Sequence, residues 1–495
     1  MSVFFISSPS KRKSSGHIKG VICGASNDVF LLKEKDCFEI TFDDAGSKKK
    51  MSEEKRDMIS KLPDDIIVNI ISRLTTEEAA RTSILSTRWT PLWLHSHGFF
   101  NFDNSLRIYR LRRRQCGQLR KIRLFLSEWQ RFMNTLQKTL DSLQTPTIKG
   151  LRICIDLGNP RKIPDWLNFA SRKKVETLEL DFTFTYTYLL LGIRDSIRNL
   201  LSPDLLFGPR GFKFQSLHVL RLASVDITGD TLQQFLSGCS CLETLCVRDS
   251  RILTHLKVAS GTLKHLELEE CNVPFLEVSA QNLVVFTYSG EVCDSFPFKC
   301  VPNLEQVSFG GPYARYVETN MKDIDFFRLF SQLSVVKLEL RARDETIHVD
   351  LPEFSNVKHL ELFIPHAGGI NLSRHVSLLS AFPSICKLKL KFQSFGISSR
   401  EVMEFEGNLK HEYERLEELE VCGYRRDPCQ IEFILYVVEN AANLKRIAFD
   451  PVSTFYSART ADVKKVIGAL RRDSLVWFAD GLKPYIPDSV ELIVL

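Results

Sequence analysis

A chain of 495 residues is too long for one ordinary compact core, so several domains or an array of repeats is expected. Its 44% hydrophobic and 25% charged residues exclude a wholly disordered chain, and 66 basic against 60 acidic residues, a net +6, is too small an excess to indicate a nucleic-acid binder. Thirteen cysteines with no Cys-x-x-Cys pair offer neither a disulfide framework nor zinc-ligand spacing, so reduced thiols in a cytosolic or nuclear protein are expected.

Residues 1–56 mix short apolar stretches with Ser, Gly and charge, show no sustained period, and read as a mostly disordered extension. The cluster Lys11-Arg12-Lys13 follows the apolar patch Val3–Ile6 rather than preceding it, so no secretory signal is read. That cluster reads as solvated charge, with a weak nuclear import signal as the alternative, and Met51 is a possible internal start. No apolar run approaches the ~18 residues that cross a bilayer.

Residues 57–98 are the first well-patterned segment. Pro63 presets a first-turn dihedral, Asp64 and Asp65 suit the positive end of a helix dipole, and Ile66, Ile70 and Leu74 then recur every four residues with Ile67 and Ile71 beside them. Thr75 with Glu78 fits a capping box that opens a second helix through Ala79, Ala80, Ile84 and Leu85. A third short piece holds Trp89, Leu92 and Trp93, shortened by Pro91. Three such helices cannot enclose this much apolar surface alone, so part of it meets either the rest of the chain or a partner protein.

The spacing of Leu62-Pro63-Asp64, Ile70-Ile71-Ser72-Arg73-Leu74, Ala80-Arg81-Thr82-Ser83-Ile84-Leu85-Ser86, Arg88-Trp89 and Leu92-Trp93 resembles the F-box. The resemblance implies a three-helix unit that binds the Skp adaptor, and through it a cullin, in an SCF ubiquitin ligase. Carried over by position, it implies adaptor contacts at Leu62, Pro63, Ile66, Ile70, Leu74, Leu85 and Trp89. Thr87 stands where Lys is common and Glu77-Glu78 where Lys-Asp is common; neither change removes an apolar anchor.

Residues 99–147 read as a basic, helical linker, with a run from Arg107 to Arg123 and then an amphipathic pattern through Trp129, Phe132, Leu136, Leu140 and Leu143. A solvated helix face is the default for the run; a phosphate-rich ligand, such as the inositol phosphate of hormone-receptor relatives, is the alternative.

Over residues 148–410 an apolar-x-x-apolar-x-apolar pattern returns, from Ile148/Leu151/Ile153 and Val175/Leu178/Leu180 through Leu263/Leu266/Leu268 to Val335/Leu338/Leu340 and Ile385/Leu388/Leu390. First positions 217, 242, 263, 283 and 304 are 25, 21, 20 and 21 residues apart. That is the period of leucine-rich repeats, in which each turn gives one strand to a parallel sheet and neighbours must stack to bury a face. The expected fold class is therefore α/β: a small N-terminal three-helix unit followed by a degenerate leucine-rich-repeat solenoid.

Residues 411–452 carry Leu416-Glu417-Glu418-Leu419-Glu420-Val421, Gly423-Tyr424, a helical Gln430–Glu439 and Asn443-Leu444-Lys445-Arg446-Ile447, which is similar to the FBD segment of plant F-box/leucine-rich-repeat proteins. This segment is expected to end the repeat core, and 453–495 to form a tail.

No P-loop, His-Glu-x-x-His helix or Gly-x-Ser-x-Gly elbow occurs, His255 and His265 lie on repeat strands, and no cysteine is singled out as a nucleophile. The acceptor triplet Asn371-Leu372-Ser373 carries no argument without a secretory signal. No catalytic residue, metal or cofactor is expected. The resemblance implies a non-catalytic, substrate-selecting subunit in cytoplasm or nucleus, with protein targets and neither nucleic acid nor membrane as partner. A ligand-dependent receptor of the same architecture, or a helix-turn-helix DNA binder over residues 76–93, are the competing readings.

Overall fold

The computed structural model describes residues 59 and 61–155 (apart from 113, 115 and 116), 162–183, 214–339, 351–366, 376–394 (apart from 377), 412–424, 428–450, 472, 475–476 and 479–495. The expected extension 1–56, the triplet at 371–373 and much of the tail lie outside these. The chain divides into two compact units, 1–67 and 68–495.

The Leu62 N–H donates to the Ile59 carbonyl at 3.1 Å and the Ile67 N–H to Pro63 at 3.1 Å, so Pro63 supplies the first acceptor of the helix Asp64–Ile71, whose first four residues lie in the first unit. Its acidic first turn, Asp64 and Asp65, stands at the positive end of the dipole, as the sequence leads one to expect.

In the second unit the helix Thr76–Arg81 opens with the expected capping box: the Glu78 N–H donates to the Thr75 hydroxyl at 3.3 Å, and the Thr75 N–H to the Glu78 carboxylate at 3.0 Å. The helix stops at Arg81 and tightens into a 3₁₀ turn, Thr82–Ile84; a helix of four residues follows, Trp89–Leu92. Ser72 ties these turns to the chain that follows. Its hydroxyl donates to the Val68 carbonyl at 2.7 Å and accepts the His97 N–H at 3.0 Å. The Thr76 hydroxyl accepts the Asn101 N–H at 2.8 Å. These helical turns are thus bonded directly to the first strand of the sheet.

That strand is β1 (Phe99–Asp103). It is followed by β2 (Gly150–Cys154), β3 (Thr177–Asp181), β4 (Val219–Ala223), β5 (Thr244–Arg248), β6 (His255–Ala259), β7 (His265–Glu269), β8 (Phe275–Ser279) and β9 (Val285–Ser289). Then come β10 (Phe298–Cys300), β11 (Gln306–Gly310), β12 (Val335–Glu339), β13 (His359–His366), β14 (Lys387–Ser394), β15 (Glu418–Cys422), β16 (Arg446–Asp450) and β17 (Glu491–Val494). Fourteen of these form one sheet in the order β1-β2-β3-β4-β5-β7-β9-β11-β12-β13-β14-β15-β16-β17, every pairing parallel. The architecture is the expected α/β repeat solenoid.

Unbroken register produces two inward ladders. One runs Phe100, Leu151, Leu178, Leu220, Leu245, Leu266, Phe286 and Val307, and continues through Val336 and Leu360 to Ile447 and Leu492. The other starts two residues later in each strand, from Phe102 and Ile153 to Leu268, Tyr288, Phe309 and Phe449. Most members of both are no more than 1% exposed. Each such side chain withdrawn from water stabilises by about 1.5–3 kcal/mol, and in a repeat array that gain exists only when the neighbouring turn is present.

Four features depart from the sequence reading. Segment 99–147 is no linker: it supplies β1, the helix Ser105–Arg112 and the 25-residue helix Gln118–Ser142, whose Met133, Leu136 and Leu140 join the core. The tail supplies β17. In one repeat the inward set is Leu333, Val336 and Leu338 rather than Val335, Leu338 and Leu340; Val335 aligns with Gln306 and His359, and position 340 lies outside the described residues. Two overlapping apolar triplets satisfy the same pattern there, and only the pairing selects one. Finally, β6, β8 and β10 make a second, three-stranded parallel sheet. In turns of 20 or 21 residues the return path is an extended strand, while longer turns use helices such as Gly229–Gly238, Gly311–Asn320 and Ile324–Gln332. A helix advances only ~1.5 Å per residue, so spanning the same return path takes more residues.

The FBD-like strand, turn, helix and strand appear as β15, Gly423, the helix Pro428–Asn440 and β16. The buried helix face is Phe433, Ile434, Val437 and Val438.

Candidate functional site

Two surfaces present chemistry. The first lies on the helical turns. Ile66 and Ile70, one turn apart on the helix Asp64–Ile71, are 40% and 41% exposed while Ile67 and Ile71 are buried. Leu62 and Leu74 are half-buried and Pro63 is exposed. Leu85 is 63% exposed, and Ile84 beside it, which is absent from the carried-over contacts, is 85% exposed. Large aliphatic side chains this bare are costly to leave in water.

Trp89 stands apart. It is 6% exposed, and Leu92 7%, so Trp89 is packed among the helical turns. Pattern alone cannot tell an inward Trp from an outward one in so short a helix.

The second surface is the outward face of the fourteen-stranded sheet. Residues between the two apolar ladders align as Arg152, Glu179, Arg221, Cys246, Glu267, Thr287, Ser308, Lys337, Glu361, Lys389 and Glu420. Opposite charges on adjacent strands pair across the ladder. Arg152 bridges Asp103 at 2.8 Å and Glu179 at 3.1 Å; Arg221 also reaches Glu179, at 3.0 Å. Arg248 pairs with Glu269, Lys337 and Lys391 with Glu361, and Lys389 with Glu420. Between β7 and β14 this face holds a recess of about 270 Å3 lined by Glu269, Glu270, Ser308, Lys337, Glu339 and Lys391, among others. Polar groups of both signs suit charged side chains of a protein target better than an apolar ligand.

Glu420 shows how tightly the ladder is built. Burial alone would raise its carboxyl, but hydrogen bonds and charge from Lys389 and Lys387 outweigh burial and hold it below the usual carboxylate range; Glu418, between Lys387 at 3.0 Å and Arg446 at 2.9 Å, is lowered in the same way. A depressed folded-state value contributes stability that is complete above the ordinary carboxylate range and is lost as pH falls through the folded value. The urea midpoint is therefore expected to hold between neutral pH and about pH 5 and to fall below it, with a shallower fall in Glu420→Gln. An acid limb identical in the two proteins would refute this role for the pair.

Glu420, Cys422 and Asp450 bring three potential ligand atoms within 4.8 Å. Burial pushes the Cys422 thiol up to about 12, and it donates to Asp450 at 3.7 Å while two lysines occupy Glu420, so the trio is a hydrogen-bonded element of the ladder. Burial likewise raises Cys246, Cys271 and Cys293, which leaves them poor nucleophiles.

Comparison with known proteins agrees with this division. Residues 59–97 match the F-box domain model, and residues 143–476 match the model described as At1g61320/AtMIF1, LRR domain. The chain is similar to the FBD-associated F-box protein At5g27750 of Arabidopsis thaliana, 26% identical over 84% of this chain and 97% of that one. It is also similar to the F-box/FBD/LRR-repeat protein At5g44980 of the same plant, 23% identical over 79% and 92%, and to the F-box protein At5g03100, 30% identical over 43% and 63%.

Proposed function

This chain belongs to the plant F-box family that carries leucine-rich repeats and an FBD segment, and from that premise we propose that it is a substrate-recognition subunit of an SCF ubiquitin ligase. The F-box domain supports binding to a Skp-type adaptor in general; the finer reading assigns the contact to Leu62, Pro63, Ile66, Ile70, Leu74 and Leu85, with Ile84 added and Trp89 as the residue that holds the helical turns together. The observation that carries it is the exposure of Ile84 and Leu85 beside a buried Trp89. The turns are folded, yet they leave aliphatic surface bare that another protein must cover.

The charged face of the sheet is the surface assigned to the target protein. Side-chain pairs there already satisfy one another, so a target gains most by matching the order of charges, a source of selectivity more than of raw affinity. Acting in the cytoplasm or nucleus, the subunit raises the effective concentration of a target lysine near a ubiquitin thioester and forms no bond itself.

A pull-down of the full chain with the Skp adaptor tests this. Ile70→Ser and Leu85→Ser alter exposed positions and are expected to weaken binding at least about tenfold with an unchanged unfolding midpoint. Trp89→Ala is expected to lose binding together with the helical turns, seen as a lowered midpoint. Absence of binding by the wild type, or full binding by both serine variants, overturns the proposal.

A further inference from the structure

Charge is distributed very unevenly along this chain. Residues 105–131 hold nine Lys and Arg and a single acid, Glu128, a net +8. The remaining 57 basic and 59 acidic residues are net −2, so the chain's overall +6 resides entirely in this one stretch. It folds as the helix Ser105–Arg112 and the beginning of the helix Gln118–Ser142, held together by buried Ile108 and Phe125. Glu128 is already spent internally, bridging Arg107 at 2.8 Å and Arg131 at 3.5 Å, which clamps the two helices together. Arg110, Arg114, Arg120 and Arg123 are exposed and make no ion pair among the described residues.

Local helix stability does not explain this arrangement. Arg120, Lys121 and Arg123 occupy the opening turns of the long helix, where the dipole favours anions and disfavours cations. A sequence that breaks a local rule without an internal gain marks a place answering to something outside the chain. On the long helix two more exposed residues accompany Arg120 and Arg123: Leu119 is 78% exposed and Leu126 47%, and with Arg123 they recur at i, i+4 and i+7, a single stripe down the helix.

We propose that the helices Ser105–Arg112 and Gln118–Ser142 dock an acidic, leucine-bearing protein segment, its carboxylates on Arg110, Arg120 and Arg123 and its apolar side chains on Leu119 and Leu126. Bare leucines distinguish the surface from a phosphate-backbone site, where contacts are polar and cationic throughout. The cationic surroundings speed encounter with an anionic partner, and the leucine stripe sets helical register.

The test uses the full chain and fluorescence anisotropy with a labelled helical peptide of Glu and Leu, leucines at i, i+4 and i+7, alongside its Gln-for-Glu counterpart. Vesicles containing phosphatidylserine and a double-stranded oligonucleotide serve as competing anionic probes. The acidic peptide is expected to bind in a salt-sensitive manner and to lose about tenfold or more in affinity with Arg120→Ala/Arg123→Ala. Leu119→Ser/Leu126→Ser is expected to weaken it as well, with adaptor binding and unfolding midpoint unchanged in both. Equal binding of the Gln peptide, indifference to both double variants, or tighter binding of the vesicles or the oligonucleotide would overturn the proposal.

Discussion

Phe286→Ala is expected to lower the stability of the repeat array by about 3–5 kcal/mol, a large share of what an ordinary domain possesses. The ring is fully buried at the junction of the two sheets. In the main sheet it lies in register between Leu266 of β7 and Val307 of β11. It also meets Phe298 of the second sheet edge-on, ring centroids 4.8 Å apart, and Phe309 of the next turn at 6.3 Å. Truncation opens a cavity that neighbouring turns cannot fill, since each is fixed by its own ladder hydrogen bonds. A solenoid is held only by contacts between adjacent turns, so the damage is local in space but can divide the array into two cooperative parts. Urea unfolding checks this, with a broader transition expected alongside the lower midpoint. Phe275→Ala serves as the control: the side chain is 64% exposed on β8, and its loss is expected to cost within about 0.5 kcal/mol of nothing. Similar losses for the two variants would show that Phe286 does not join the sheets.

Much of this architecture could be read directly from residue spacing, because the inward ladders are generated by a pattern each repeat carries within itself. Leu263/Leu266/Leu268 needs no knowledge of its neighbours to declare a strand and its buried side. What escaped were features defined by pairing. The first strand, Phe99–Asp103, lies outside the repeat pattern and is a strand because β2 offers its edge and Thr76 receives the Asn101 N–H. The last, Glu491–Val494, lies outside the apolar triplet pattern and is a strand because it pairs in register with β16. The second sheet escaped because β6 and β8 are short apolar-alternating stretches with no spacing signature of their own, and become strands only when turns of equal length stack. The helical motif was readable from spacing, yet spacing treats Trp89 and Leu85 alike, and only the packed helical turns show that one is buried and the other bare.

A recurring backbone device also lay beyond the side-chain pattern. The residue immediately after a main-sheet strand adopts the left-handed conformation at Ser224, Asp249, Glu270, Gly311 and Gly423, with φ of 55°, 52°, 53°, 65° and 75°. It turns the chain out of the sheet so that the return path can begin. An L residue tolerates this at a cost of about 1–2 kcal/mol, and three of the five sites bear it. Gly423 cannot. A Cβ there would overlap the Phe392 carbonyl oxygen of the adjacent strand, β14, and the following Tyr424 is buried against Phe449 at 5.1 Å, so the turn has no room to shift. Gly423→Ala is therefore expected to destabilise by about 2–5 kcal/mol, the left-handed term joined by an overpacking cost of about 1–3 kcal/mol. Glu270→Gly provides the opposite case: relief of the left-handed strain offsets the entropy that glycine loses on folding, and stability is expected to rise or hold within about 1 kcal/mol. Paired thermal or urea unfolding of the two variants separates backbone conformation from side-chain packing. If Gly423→Ala unfolds with the wild-type midpoint, steric closure against Phe392 is not what fixes glycine at the turn between β15 and the helix of the FBD-like segment.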